Sequence, residues 1–264
     1  MKALFILNGA PYGTERTYNG QRLALALAKN DPGTDGTVFL LSDDSIAGRL
    51  KEKLTTVDTR RHWEEVYRAK RPTEVSWYRP HLDVSLQLIE DAAGGRDAHI
   101  IDVGAGESTL VDDLLGRGYR NVYAMDLSAT ALDVAKARLG AKAAEVVWLC
   151  GDVRNFGFPR HRYDVWHDRA VFHFLTHAAD RRAYVRQVAH AVKPGGHVIV
   201  ATFGPEGPTK CSGLDVVRYD PEALHGEFGA AFRLVQHRTE LHRTPKGTTQ
   251  QFTYCYCKIS EEAA

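Results

Sequence analysis

Residues 98–109 read Ala-His-Ile-Ile-Asp-Val-Gly-Ala-Gly-Glu-Ser-Thr. An apolar run reaches Asp102, turns through Gly104 and Gly106, and enters a segment of helical composition over 109–115. A glycine-rich turn from strand to helix brings a ligand against bare backbone, where the first helical amides point at it. Further on, a second apolar run, Asn121-Val-Tyr-Ala-Met, ends at Asp126. A carboxylate at the end of that second strand is placed to accept from both hydroxyls of a ribose. The pair predicts a site for a nucleoside-containing cofactor.

The kind of cofactor follows from what surrounds the glycines. A dinucleotide site carries a third glycine three positions after the second, where the helix packs closely; here that position is Thr109. Asp102, directly before the turn, would repel a pyrophosphate and attract a cationic amino-acid group. This favours S-adenosylmethionine, with its ammonium and sulfonium, over NAD. The stretch resembles the first motif of class I S-adenosylmethionine-dependent methyltransferases, (D/E)-x-G-x-G-x-G, with Ser108 in place of the last glycine. The resemblance continues through Gly151-Asp152-Val153, Tyr163-Asp-Val-Trp-His-Asp168 and Lys193-Pro-Gly-Gly196, and covers roughly residues 60–258.

At 264 residues the chain holds one large domain with room for a small appendage. A net charge of +1, with both signs interspersed, disfavours nucleic acid and anionic membranes as partners. No apolar run approaches the roughly 18 residues of a membrane span. The start, Met1-Lys-Ala-Leu-Phe-Ile-Leu-Asn, lacks the features of a signal peptide. Four cysteines, none before Cys150, do not form a disulfide framework, and a cytoplasmic protein is expected.

Residues 1–45 read as a separate βαβ unit, with strands at 3–7 and 37–41 around a helix at 22–29. Ala3-Leu-Phe-Ile-Leu-Asn and Tyr12-Gly-Thr-Glu-Arg-Thr-Tyr-Asn-Gly make it similar to the opening of the DsrE-like sulfur-relay fold. That chemistry needs a cysteine the segment lacks, so a truncated remnant without sulfur transfer is expected. A unit this small buries little core by itself, which makes a homodimer one way of covering it. A linker is expected over 46–61 and the methyltransferase domain over 62–264. Helices are expected at 62–70 and 82–92, followed by alternating strands and helices. Strands are placed near 98–103, 121–126, 145–150, 163–168, 196–203, 231–238 and 250–258, the last two joined through Thr244-Pro-Lys-Gly and paired antiparallel. The expected fold is α/β: a Rossmann-like, seven-stranded, mostly parallel sheet with an antiparallel last strand and a small N-terminal βαβ appendage.

Asp102, Gly104, Gly106, Ser108 and Thr109 are expected to hold the methionine end of the cofactor. Asp126 either binds the ribose or caps the helix at 129–139, roles that are compatible, and Leu127 is expected on the adenine face. The resemblance implies that Asp152 accepts from the adenine amine and that Val153 offers its amide; a plain turn aspartate is the alternative. Trp77 belongs to an aromatic segment, with Trp63, Tyr67, Tyr78 and His81, that the fold would lay across the cofactor as a lid or bury as core. Asp168 closes the fourth strand at the edge where open α/β sheets bind ligands, as a positioning group or proton acceptor for cofactor and substrate. His173 lies among aromatics as a substrate contact or a core histidine. The Gly/Pro-rich stretch after 202 is a candidate substrate loop. Glu240, His242 and Thr244 alternate onto one face, where His242 is a candidate base for an amine or thiol. Cys255 and Cys257 share a strand face without a metal-ligand pattern, and no metal is expected.

These readings converge on transfer of a methyl group to a nucleophilic nitrogen or sulfur of a small molecule or a protein side chain. The other reading is a non-catalytic S-adenosylmethionine-binding scaffold or sensor that oligomerises through its N-terminal segment.

Overall fold

The computed structural model describes the backbone of residues 3–7 and 36–40 and all of residues 58–261. The chain divides into two units, Met1–His62 and Trp63–Ala264. In the first, β1 (Ala3–Leu7) pairs in parallel with β2 (Gly36–Leu40), one residue earlier than the expected second strand. The helix expected at 22–29 lies outside the described residues. So does most of the expected linker, whose last residues already belong to α1 (Thr59–Ala69).

The second unit continues with α2 (Asp83–Ala92), β3 (His99–Val103), α3 (Leu110–Gly116), β4 (Asn121–Asp126), α4 (Ala129–Leu139), β5 (Val146–Cys150) and β6 (Tyr163–Arg169). It then runs through α5 (Ala178–Ala191), β7 (Val192–Phe203), the short pair β8 (Lys210–Cys211) and β9 (Leu214–Asp215), α6 (Pro221–Phe228), β10 (Phe232–Arg243) and β11 (Thr249–Ile259). Seven strands form one sheet in the order β10-β11-β7-β6-β3-β4-β5. β11 lies between β10 and β7, antiparallel to both, and the remaining pairs are parallel. The expected sheet is therefore present. β10 runs five residues beyond the expected end at 238, which makes Glu240 and His242 strand residues.

Central strands covered on both faces are apolar along their length, and two cores result. Ile100, Val122, Val165, Ile199, Ala201, Phe252 and Tyr254 meet Leu86 and Ile89 of α2 and Leu110 and Leu114 of α3. Ile101, Val103, Met125, Trp166, Val198, Val200, Cys255 and Cys257 meet Tyr184 and Val188 of α5 and Leu224 and Phe228 of α6. From β3 the chain adds β4 and β5 on one side, then crosses to add β6 and β7 on the other. The crevice at the carboxyl ends of β3 and β6 is thus the topological switch point, where open α/β sheets bind ligands.

Candidate functional site

The glycine turn after β3 is shaped by two backbone positions. Gly104 has φ +72° and Gly106 has φ +51°, the left-handed region that favours glycine. A Cβ on Gly104 would lie 2.0 Å from Val171 Cγ2, and one on Gly106 would lie 2.7 Å from the Tyr67 hydroxyl. Neither position accommodates a side chain. Beyond the turn, Ser108 Oγ accepts from Leu110 N at 3.1 Å, and the Thr109 hydroxyl donates to Pro80 O at 2.7 Å. Both hydroxyls fix the turn and its neighbour segment.

Asp126 faces the same turn from β4. Its Oδ2 accepts from Gly106 N at 2.9 Å and its Oδ1 from Ser128 N at 2.8 Å. The alternative raised by the sequence is therefore half realised: Ser128 caps α4 through Ala131 N, and Asp126 ties that cap to the glycines. A carboxylate oxygen has lone pairs beyond one bond, so two ribose hydroxyls remain within its capacity. Burial pushes the Asp126 carboxyl up to about 6. Gly151 N donates to Asp126 O at 3.0 Å, which brings the Asp152 loop alongside.

The remaining expected cofactor contacts lie around β4 and the loop after β5. Asp152 accepts from Arg154 N at 2.9 Å and pairs with its guanidinium at 2.6 Å. An adenine amine would share an acceptor that is already engaged. Val153 is buried in the α5-side core. Leu127 is half-buried between Asp126 and Ser128, and its carbonyl accepts from Cys150 Sγ at 3.8 Å.

Asp168 departs furthest from expectation. It is fully buried, and its oxygens accept from Val171 N, Phe172 N and, at 2.6 Å, the Tyr184 hydroxyl. The parallel register pairs Val103 with Asp168 and Asp102 with His167. Asp102 and His167 thus share the α2 face, while Asp168 points into the α5 face, where it fixes the 170–174 turn. Burial raises its carboxyl to about 7. Alternation along β6 thus turns Asp168, the expected catalytic and cofactor-binding residue, to the face opposite Asp102 and His167.

The α2 face instead carries a polar chain. His167 Nδ1 lies 2.7 Å from Asp102 Oδ1, and its Nε2 lies 2.9 Å from Ser85 Oγ. The order Ser–His–Asp has the geometry of a nucleophile triad, yet Ser85 is fully buried on α2. The arrangement holds Asp102 at the mouth of the turn. Ser85 Oγ is 3.3 Å from the Tyr254 hydroxyl, which donates to Glu240 at 3.0 Å, and Glu240 pairs closely with Arg79.

Asp102, Gly104, Gly106, Ser108, Trp77, His167 and Arg169 all line one cleft with about 50 Å³ of enclosed space. Trp63, Tyr67 and Trp77 pack edge-on or tilted over it, with ring centroids 5.8–6.3 Å apart. Glu64 anchors this cover, since its Oε1 accepts from Ala129 N at 2.7 Å, at the start of α4. The rings pack on one another, and Trp77 lines the cleft. Sequence reasoning missed Glu64, Glu107, Ser85 and the pairing role of His167. Glu107 is buried in the cleft wall, with Oε2 lacking a hydrogen-bond partner among the described residues. Burial holds its carboxyl near 7. Its place beside Gly106 was the available signal.

His173 and His242 are fully buried. His173 Nδ1 accepts from Phe203 N at 3.2 Å, and burial lowers the imidazole to about 3. His242 Nε2 donates to Ser76 O at 2.7 Å, and burial lowers it too. Each keeps one ring nitrogen without a hydrogen-bond partner among the described residues. Glu240 and His242 share the buried face of β10, and Thr244, just past its end, is buried as well. Cys255 and Cys257 are buried with their sulfurs 3.3 Å apart.

Comparison with known proteins agrees with this architecture. Residues 100–196 match the family model of a methyltransferase domain. The match lies wholly within the second unit and gives no support to the sulfur-relay resemblance of residues 1–45. The ubiquinone biosynthesis O-methyltransferase of Serratia proteamaculans is 31% identical over 117 residues, 44% of this chain and 47% of that protein. The chain spans about half the length of the curated relatives it matches. The SAM-dependent methyltransferase structure from Anabaena variabilis superposes with a TM-score of 0.60 at 15% identity, covering 77% of this chain and 96% of that one. A structure from echinomycin biosynthesis, concerned with conversion of a disulfide bond into a thioacetal group, gives 0.64 at 19% identity over 77% and 94%. The second unit has the Rossmann-like fold of these proteins, and the family match falls on its residues 100–196. Among the described residues no helix is long and apolar enough to cross a membrane.

Proposed function

We propose that the chain is an S-adenosylmethionine-dependent methyltransferase acting on a nucleophilic atom of a small molecule. The observation that carries this reading is the cradle around Gly106: backbone with no room for a Cβ, faced by the Asp126 carboxylate. That donor and acceptor set suits a nucleoside, and Asp102 supplies the negative charge suited to an ammonium. The bound cofactor supplies a methyl group already activated by its sulfonium.

The residues of the chain have the task of alignment. Asp126 holds the ribose and Asp102, steadied by His167 and Ser85, holds the amino-acid end. Trp77 and Tyr67 exclude water, and a cationic sulfonium beside such faces is favourable. Alignment at near-attack distance is worth up to roughly 7–11 kcal/mol. A base is needed only for an acceptor that arrives protonated, and the partnerless Nδ1 of His242 is the candidate. Nitrogen and sulfur acceptors were the expectation from sequence; the names of the relatives add oxygen. The catalytic unit in this proposal is residues 62–264, preceded by a linker over 46–61 and a separate segment over 1–45.

Calorimetry with S-adenosylmethionine and S-adenosylhomocysteine tests the cofactor, and transfer of labelled methyl to a metabolite extract tests turnover. Binding together with label in the small-solute fraction is expected. Label in a protein band would overturn the small-molecule assignment. Binding without transfer would favour the scaffold reading, and no binding would overturn the proposal.

A further inference from the structure

Arg169 ends β6 on the face that carries Asp102 and His167, and it lines the cleft. Its side chain is only 5% exposed, with the guanidinium carbon 4.0 Å above the Phe252 ring. Burying a guanidinium is costly unless its donors are used. Nε donates to the Tyr254 hydroxyl at 3.2 Å, and Nη1 reaches the Trp77 carbonyl only at 3.4 Å. Nη2 has no hydrogen-bond partner among the described residues and lies 3.7 Å from Glu240 Oε2. Glu240 does not neutralise it alone, because the same carboxylate is paired with Arg79 and accepts from Tyr254. Arg79 and Arg169 both face Glu240, and Arg79 also reaches the exposed Asp83 at 3.7 Å, so the more deeply buried guanidinium of Arg169 is left with an unused donor at the wall of the cleft.

A second partnerless donor stands behind it. The Nδ1 of His173 accepts from Phe203 N, so its proton is on Nε2, which is buried and has no partner among the described residues. His173 packs on Phe203 at 4.6 Å, and Phe203 packs on Phe252 at 4.9 Å, the ring under Arg169. Phe203 and Phe252 thus connect the His173 ring to the guanidinium of Arg169. The charge of Arg169 adds to burial in keeping the imidazole neutral. The lid lies across this corner through the Trp77 and Ser76 carbonyls, the second accepting from His242. The Trp77 carbonyl thus already occupies part of the Arg169 donor set.

We propose that Arg169 anchors a carboxylate or comparable oxyanion on the small molecule that receives the methyl group. The assignment rests on the methyltransferase reading for the word acceptor, and on the buried guanidinium for the charge. It gives the acceptor two ends: an anionic handle at Arg169 and a nucleophile reaching back toward the glycine turn.

The test uses benzoate and its uncharged isostere benzamide as probes on the full chain saturated with S-adenosylhomocysteine. Thermal shift and nitrogen-detected NMR of arginine side chains are the readouts. Benzoate is expected to bind saturably, to shift the Arg169 signals, and to bind at least about tenfold more tightly than benzamide, as a charge-assisted bond implies. Arg169→Met should remove that preference. Arg169→Lys, which keeps a buried cation opposite Glu240, should retain it in part and serves if the Met variant does not fold. Equal or no binding of the two probes overturns the proposal, as does an unchanged preference in a folded Arg169→Met. Competition between benzoate and S-adenosylhomocysteine also overturns it, by assigning Arg169 to the cofactor's own carboxylate. If S-adenosylhomocysteine does not bind at all, the methyltransferase reading fails at that step. The benzoate–benzamide comparison on the same protein still decides the anion site.

Discussion

Asp102 and Asp168 close neighbouring parallel strands, yet they belong to different parts of the molecule. Asp102 faces α2, meets His167 and opens onto the cleft. Asp168 is one register step away, faces α5 and spends its oxygens on Tyr184 and two backbone amides. Both are acids at the carboxyl edge of the same sheet. The difference shows that in an open α/β sheet the edge brings residues near a ligand, while the period-2 alternation decides which of them face it.

The sharpest way to break that comparison is to remove each acid in turn. Asp168→Ala leaves the Tyr184 hydroxyl and two amides without their acceptor and should cost about 3–5 kcal/mol of stability in chemical denaturation. S-adenosylhomocysteine affinity of the remaining folded protein should be unchanged; a tenfold loss would put Asp168 back in the site. Asp126→Ala should do the reverse. It should weaken S-adenosylhomocysteine by about 30-fold or more in calorimetry, through loss of two bonds to a charged acceptor, with a smaller change in stability. Because the Asp126 carboxyl is held near 6, affinity of the wild-type protein should also fall as pH drops through that value.

The cover of the cleft supplies a smaller effect. Trp77→Ala should weaken S-adenosylmethionine by about tenfold, and S-adenosylhomocysteine by less, if the ring faces the sulfonium charge. Equal losses for the two would reduce Trp77 to packing.

Glu107 supplies the smallest effect. Burial raises its carboxyl from the usual range to about 7, so its folded form prefers to be protonated. Its contribution to stability is present in full below the unfolded value and is lost as pH rises through about 7. Glu107→Gln cannot ionise, so its stability relative to wild type should improve by about 1–2 kcal/mol between pH 5 and 8. A flat difference across that range would mean that Glu107 finds a partner in solution.

The sequence carried the glycine turn and the Asp126 strand end because their chemistry is local: a turn without side chains, a helix start, and an acid ending the next apolar run. The same holds for Ser128 as the cap of α4 and for the shared face of Glu240 and His242. For Asp168 the position in the chain was visible and the facing was not. Alternation gives relative orientation along a strand, but which face a strand presents depends on its register with β3. Glu64, Ser85 and Arg169 escaped notice for a related reason. Each acts on a residue 65 or more positions away, as in Glu64 to Ala129, His167 to Ser85 and Arg169 to Tyr254. Nothing in their local pattern distinguishes them from solvated helix or strand residues.

By itself, then, the sequence determined the sheet, its switch point and the glycine turn faced by Asp126, since hydrophobic period and glycine placement act over a few residues. Only the tertiary structure decided which acid faces the cleft and where the buried positive charge of Arg169 lies. Those properties arise from register and desolvation, which exist only once distant strands have paired and water has been excluded between them.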